Sequence, residues 1–102
     1  MKVGTQLKFS ALAHEDLLEI ARYIARNNPS RARSFANELR QQCVLLLQQP
    51  GLGVARVDLS ENLRALPYQR YVIFFSKIDS GILVERVLDS ARELSILLNS
   101  PT

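Results

Sequence analysis

The stretch LRALPYQRYVIFFSKIDSGILVERVLDSAR, residues 63–92, decides the fold. It divides into three successive strands, at about Leu63–Leu66, Arg70–Lys77 and Ile82–Leu88. Pro67 cannot donate to a ladder and is placed in the turn between the first two. Asp79-Ser80-Gly81 is hairpin chemistry, because Gly81 can take positive φ without steric cost. Val72, Ile73, Phe74 and Phe75 in one strand, and Ile82, Leu83, Val84, Val87 and Leu88 in the next, are β-branched, aromatic or aliphatic on both faces. Such strands belong at the centre of a sheet with both sides at least partly covered. Arg64, Arg70, Arg86 and Arg92 interrupt this apolar region, and any functional reading has to account for them.

Upstream, Thr5–Phe9 alternates, with Leu7 and Phe9 on one face and Lys8 on the other, which predicts a short first strand beginning as early as Val3. Ser10 is an N-cap candidate, and Leu12, Leu17, Ile20, Ala21 and Ile24 recur at helical spacing through about Arg26. Glu15 and Asp16 fall early in this helix, where its dipole favours negative charge. Glu15 and Glu19 are spaced to pair with Arg22 and Arg26 on the wet face. Asn27-Asn28 is predicted to end the helix in left-handed geometry. Asn28-Pro29 also starts the next helix, with proline at the first position. Ala32, Phe35, Ala36, Leu39, Cys43, Leu46 and Leu47 carry that helix to Pro50-Gly51. Two helices joined this closely form an antiparallel αα-hairpin. Leu52–Glu61 reads as a connector, and Ala91–Asn99 as a short C-terminal helix.

The order is therefore β-α-α-β-β-β-α: an α+β domain spanning residues 1–102, its helical hairpin packed on one face of a small, mainly antiparallel sheet. One helix pair covers only one face, so the other is expected to stay partly open and to mark a partner site.

A length of 102 residues fits one domain. No apolar run approaches the roughly 18–20 residues of a membrane span, and MKVGTQLKFS lacks a signal-peptide h-region, so a cytoplasmic location is expected. A single cysteine, Cys43, and a single histidine, His14, exclude an internal disulfide and make a structural metal site implausible. The net charge of +3, with arginine dominating the basic residues, favours an acidic partner but is weak support for nucleic acid, because the acids are interspersed. No phosphate-binding glycine loop, Ser/His/Asp arrangement or ligand cluster is present, and no cofactor is implied. Cys43 lies on an apolar stripe and reads as a small core residue. Asp58, Glu61, Glu85 and Asp89 have arginine neighbours and read as salt-bridge partners. The arginines with Tyr68 and Tyr71 could bind RNA and stabilise a cleavage transition state. Holding strands together and meeting an acidic segment is the reading the residues favour.

Four segments, in this order and spacing, carry a resemblance: DLLEIARYIARNNPSRARSF at Asp16–Phe35, LLQQPGLG at Leu46–Gly53, LRALPYQRYVIFF at Leu63–Phe75 and ERVLDSAR at Glu85–Arg92. Together the chain resembles the ParE branch of the ParE/RelE toxin superfamily of bacterial toxin–antitoxin systems. The resemblance implies a toxin that is not an enzyme, stalls DNA gyrase with its DNA cleaved, and is neutralised by a ParD-like antitoxin in a hetero-oligomer. It points to Arg64, Tyr71, Arg86 and Arg92 as the target-binding surface. Tyr23, Arg33, Arg70 and Phe74 are the expected antitoxin contacts. RelE-like relatives instead cleave messenger RNA on the ribosome, often with a C-terminal tyrosine. Here ELSILLNSPT, residues 93–102, has no tyrosine, lysine or histidine, which counts against that alternative.

Overall fold

The computed structural model of the chain describes residues 5–91. Seven elements follow in order: β1 Gln6–Phe9, α1 Ala11–Ala25, α2 Pro29–Gln48, β2 Val54–Ala55, β3 Leu63–Tyr68, β4 Tyr71–Ile78 and β5 Gly81–Asp89. They form one sheet in the order β1-β5-β4-β3-β2, with β1 parallel to β5 and the other pairs antiparallel. The strand that is apolar on both faces, β4, takes the centre, as its composition requires. Val3 and the predicted C-terminal helix lie outside the described residues, as does Arg92.

Ser10 caps α1 as expected: its hydroxyl accepts from Ala13 N at 3.0 Å. Asn28 caps α2 by accepting from Arg31 N at 3.0 Å, with Pro29 in the first turn. The predicted left-handed asparagines are not found, since Gln69 is the only non-glycine with positive φ among the described residues. Arg26 is the C-cap instead, in right-handed conformation with its backbone N–H donating to Arg22 O. Asn27 and Asn28 both donate backbone N–H to Ile24 O, and Asn28 turns directly into its role for α2. The predicted Glu15/Glu19 pairs with Arg22/Arg26 are absent among the described ion pairs. Such exposed pairs gain too little to fix long side chains.

Pro67 is also not where its missing donor suggested. It lies in β3 opposite Val72, and Gln69-Arg70 form the turn, with Gln69 at φ 55. The Tyr68–Tyr71 pair closes this two-residue turn. The next pair, Pro67–Val72, is therefore one whose backbone groups point away from each other. Because β2 pairs only with Ala65 and Arg64, the ladder has no use for a donor at Pro67. β2 itself was hidden inside the connector, too short to show a period.

The helices and one sheet face enclose a core of Ala13, Ile20, Phe35, Leu39, Cys43 and Leu46 against Tyr71, Ile73, Phe75, Ile82, Val84 and Val87. Leu12, expected on the apolar stripe, is exposed. On the opposite face, Leu63, Ala65, Val72, Phe74 and Leu88 form a second cluster, with Leu59 of the connector packed against it and the Arg56 guanidinium 5.9 Å from the Phe74 ring centroid. All five are buried, so the expectation of an open apolar sheet face is corrected: this face is a second core.

A carboxylate joins α1 to β5. The parallel pairing of β1 ends at Phe9–Val84, where the chain turns into α1. There β5 bulges, with Val84 opposite Phe75 and Arg86 opposite Phe74, leaving Glu85 as the extra residue. Beyond the bulge, α1 supplies the partners that β1 no longer can. Ser10 Oγ donates to Glu85 O at 2.7 Å, while Asp16 Oδ2 accepts from Val87 N at 2.9 Å. The same carboxylate accepts from Arg86 Nε at 2.9 Å and Nη2 at 3.0 Å. Asp16 is only 7% exposed.

Removing one partner of a buried pair strands the other's charge. Asp16→Ala is therefore expected to lose about 3 kcal/mol of unfolding free energy by denaturant titration. The double variant Asp16→Ala/Arg86→Met should recover part of that loss, because no charge is left unpaired. Gly81 has φ 145, and a Cβ there would collide with the backbone O and N of Gln6. Gly81→Ala should cost about 1–3 kcal/mol in the same titration and loosen β1.

Candidate functional site

A cleft of about 650 Å³ opens between α1 and the end of β4–β5 remote from their own hairpin turn, beside the β3–β4 turn. From α1 it is lined by Asp16, Glu19, Arg22, Tyr23 and Arg26, and from the sheet by Arg70, Tyr71, Arg86, Val87, Leu88 and Asp89. The α1 residues share one side of the helix, because i, i+3, i+4 and i+7 positions do. The Gln69-Arg70 turn places Arg70 at the rim, 58% exposed at its side chain, with Tyr71 immediately behind it.

The charges are already partly arranged. Arg70 donates to Asp89 Oδ2 from Nε at 3.0 Å and from Nη2 at 2.7 Å, and this contact raises its pKa above the ordinary arginine value. Arg86 is raised for the same reason by Asp16. Burial pushes the Tyr71 phenol above its usual range. Its ring is fixed by Phe35, centroids 5.5 Å apart, and by the Arg70 guanidinium, 6.0 Å from the ring centroid. Tyr23 stands 56% exposed at the mouth.

Four of the residues singled out in the sequence, Tyr23, Arg70, Tyr71 and Arg86, thus line one cleft, although they were expected on two separate surfaces. The other assignments disperse. Arg64 lies on β3, away from the cleft, and clasps the exit of α2 by donating to the carbonyls of Gly51, Leu52 and Gly53 at 2.8–3.3 Å. It braces the fold. Phe74 is 1% exposed inside the second core, so its side chain offers no surface to a partner. Arg33 is exposed on α2, and Arg92 lies outside the described residues. Sequence reasoning did not assign Arg22 and Arg26 to the site. Their spacing relative to Tyr23 could have placed them there, but they were assigned to exposed ion pairs instead.

A second groove, of about 320 Å³, runs between the two helices and β1. Leu17, Ala21, Ala32 and Ala36 form its walls, with His14 and Arg40 also lining it. Cys43 borders it, but burial pushes its thiol up to about 11, which removes it as a nucleophile at neutral pH. Among the described residues no group of His, Cys, Asp and Glu could hold a metal ion, and no helix is long and apolar enough to cross a membrane.

Elsewhere Glu38 joins α2 to β3, accepting from Arg31 Nη1 and from the Tyr68 hydroxyl, both at 2.6 Å. These bonds hold its carboxyl below the ordinary value of 4.5. A depressed carboxyl stabilises the fold above its unfolded pKa and loses that contribution as pH falls through the folded one. The stability gap between wild type and Glu38→Gln should therefore narrow as pH drops below about 4.5, read by thermal unfolding across pH.

Comparison with known proteins places this geometry. No curated protein matches the chain. Among solved structures, one described as the chromosomal ParDE TA system from P. aeruginosa superposes with a TM-score of 0.70 at 20% identity, covering 83% of this chain and 95% of that one. At that identity the likeness establishes the fold, two helices on a five-stranded, mostly antiparallel sheet. Residues 7–94 match the family described as "ParE toxin of type II toxin-antitoxin system, parDE". With a match over most of its length, the chain belongs to the ParE toxin family of type II toxin–antitoxin systems.

Proposed function

We propose that this ParE-family toxin acts in the cytoplasm by binding DNA gyrase and stalling the cleaved gyrase–DNA complex, without catalysing a reaction of its own. A ParD-like antitoxin silences it by covering the surface the target needs. The observation that carries this reading is the convergence of Tyr23, Arg70, Tyr71 and Arg86 on one cleft within a chain of this family. A single surface serving both partners makes neutralisation a matter of competition.

The chemistry of the cleft also favours binding over cleavage. Strand scission needs a group that gives or takes a proton near neutral pH. Arg70 and Arg86 are guanidiniums and Tyr71 is a phenol, none of which changes charge near neutral pH. The imidazole of His14 lines the other groove. That groove, apolar between the helices and with Arg40 on its lining, suits a helical, acidic stretch of antitoxin as a further contact.

The test is a supercoiling assay with purified gyrase and antitoxin-free, folded protein. Supercoiling should be inhibited, cleaved plasmid should accumulate, and added antitoxin should reverse both. Undisturbed supercoiling at molar excess would rule the reading out. Ribosome-dependent transcript cleavage by the same sample would put the RelE-like alternative in its place.

A further inference from the structure

Tyr71 is 5% exposed, yet its hydroxyl has no hydrogen-bond partner among the described residues. Buried polar groups are normally paired, and an unmade bond of this kind carries a desolvation penalty. Tyr68, one position before the same turn, shows the usual solution, donating to Glu38 at 2.6 Å. The Tyr71 ring packs against Phe35 and the Arg70 guanidinium, with centroid separations of 5.5 and 6.0 Å. A donor is therefore held ready in a cleft whose Asp16 and Asp89 carboxylates accept from Arg86 and Arg70 instead.

The charges around it are unbalanced in a matching sense. Arg86 is neutralised by Asp16 and Arg70 by Asp89. Arg22 and Arg26, one turn apart on α1, line the same cleft and make no ion pair among the described residues. Against them stands only Glu19 of the remaining lining residues, so the cleft keeps a net positive charge once its internal pairs are counted. An orphan hydroxyl donor in the same cleft as two guanidiniums, only one of which Glu19 can offset, is complementary to one carboxylate. It is poorly suited to a nucleic-acid strand, whose closely spaced phosphates outnumber the single net positive charge left by Arg22, Arg26 and Glu19.

We propose that the cleft is a carboxylate-accepting pocket, in which an acidic side chain of the antitoxin accepts from the Tyr71 hydroxyl between Arg22 and Arg26. This rests on the toxin–antitoxin reading for the identity of the partner, but the pocket's chemistry can be tested without either partner. The probe is a fluorescein-labelled oligoglutamate peptide at low ionic strength, followed by anisotropy, with oligoglutamine and single-stranded DNA as comparison ligands.

Oligoglutamate should bind in preference to both comparison ligands. Tyr71→Phe, which removes only the hydroxyl, should weaken it about tenfold without lowering the thermal midpoint. Arg22→Ala and Arg26→Ala should weaken it similarly, whereas Lys77→Ala, which removes one positive charge from an exposed position outside both grooves, should change it less than about twofold. Equal losses in Lys77→Ala and Arg22→Ala would show mere charge attraction and overturn the proposal. So would unchanged binding in Tyr71→Phe, or tighter binding of the DNA. If gyrase poisoning persists when the peptide fails to bind, the pocket alone is refuted. If the peptide binds as described and gyrase is unaffected, the pocket stands and the target assignment falls.

Discussion

The Asp16 carboxylate does for β5 what a neighbouring strand would otherwise do. Where β1 leaves the sheet, it accepts the Val87 backbone N–H and clamps the Arg86 guanidinium with both oxygens. An unpaired donor at that point would destabilise the edge of β5 just where the bulge has already interrupted its ladder. Because the carboxylate belongs to α1, satisfying β5 also fixes the distance and rotation of the helix over the sheet. The cleft is the space this arrangement leaves, with Glu19, Tyr23 and Arg26 carried along one side by the same helix. The site's geometry therefore follows from a buried ion pair and a bulge, and not from a flexible loop.

The arginines divide by what they touch. Arg64 donates to three carbonyls and holds the exit of α2, and Arg86 is committed to Asp16. Arg70 pairs with Asp89 across the turn end of the sheet. Arg22 and Arg26 form no such pair among the described residues and stay available in the cleft. Arginine suits both uses, since its planar fork can clasp carbonyls and carboxylates alike. Residue type alone does not separate a brace from a binding group. Position relative to an acid does.

Most of the fold was legible in the sequence because its signals are local. Ser10 and Asn28-Pro29 announce two helix starts, the run at Val72–Phe75 announces a central strand, and Gly81 marks the second hairpin. What escaped depends on pairing across the sheet. Pro67 looked like a turn residue because its register against Val72, which makes its missing donor harmless, cannot be read from neighbours in sequence. The second face of the sheet looked open because nothing in the connector's composition shows Leu59 and Arg56 turning back onto Phe74. The site was half legible: Tyr71 and Arg86 stand out as polar interruptions in apolar strands. Their meeting with Tyr23 requires knowing which side of α1 faces the sheet, and that is set by Asp16, whose partner lies seventy residues away.

The central claim is that one cleft serves both the target and the antitoxin, and Tyr23 reports on it directly because it stands exposed at the mouth. Hydroxyl-radical footprinting of the toxin, alone and in complex with antitoxin or with gyrase and DNA, reads that side chain without altering it. Tyr23 should oxidise readily in the free protein and be protected in both complexes. Protection by one partner with undiminished oxidation in the presence of the other would mean two separate surfaces and would contradict the claim.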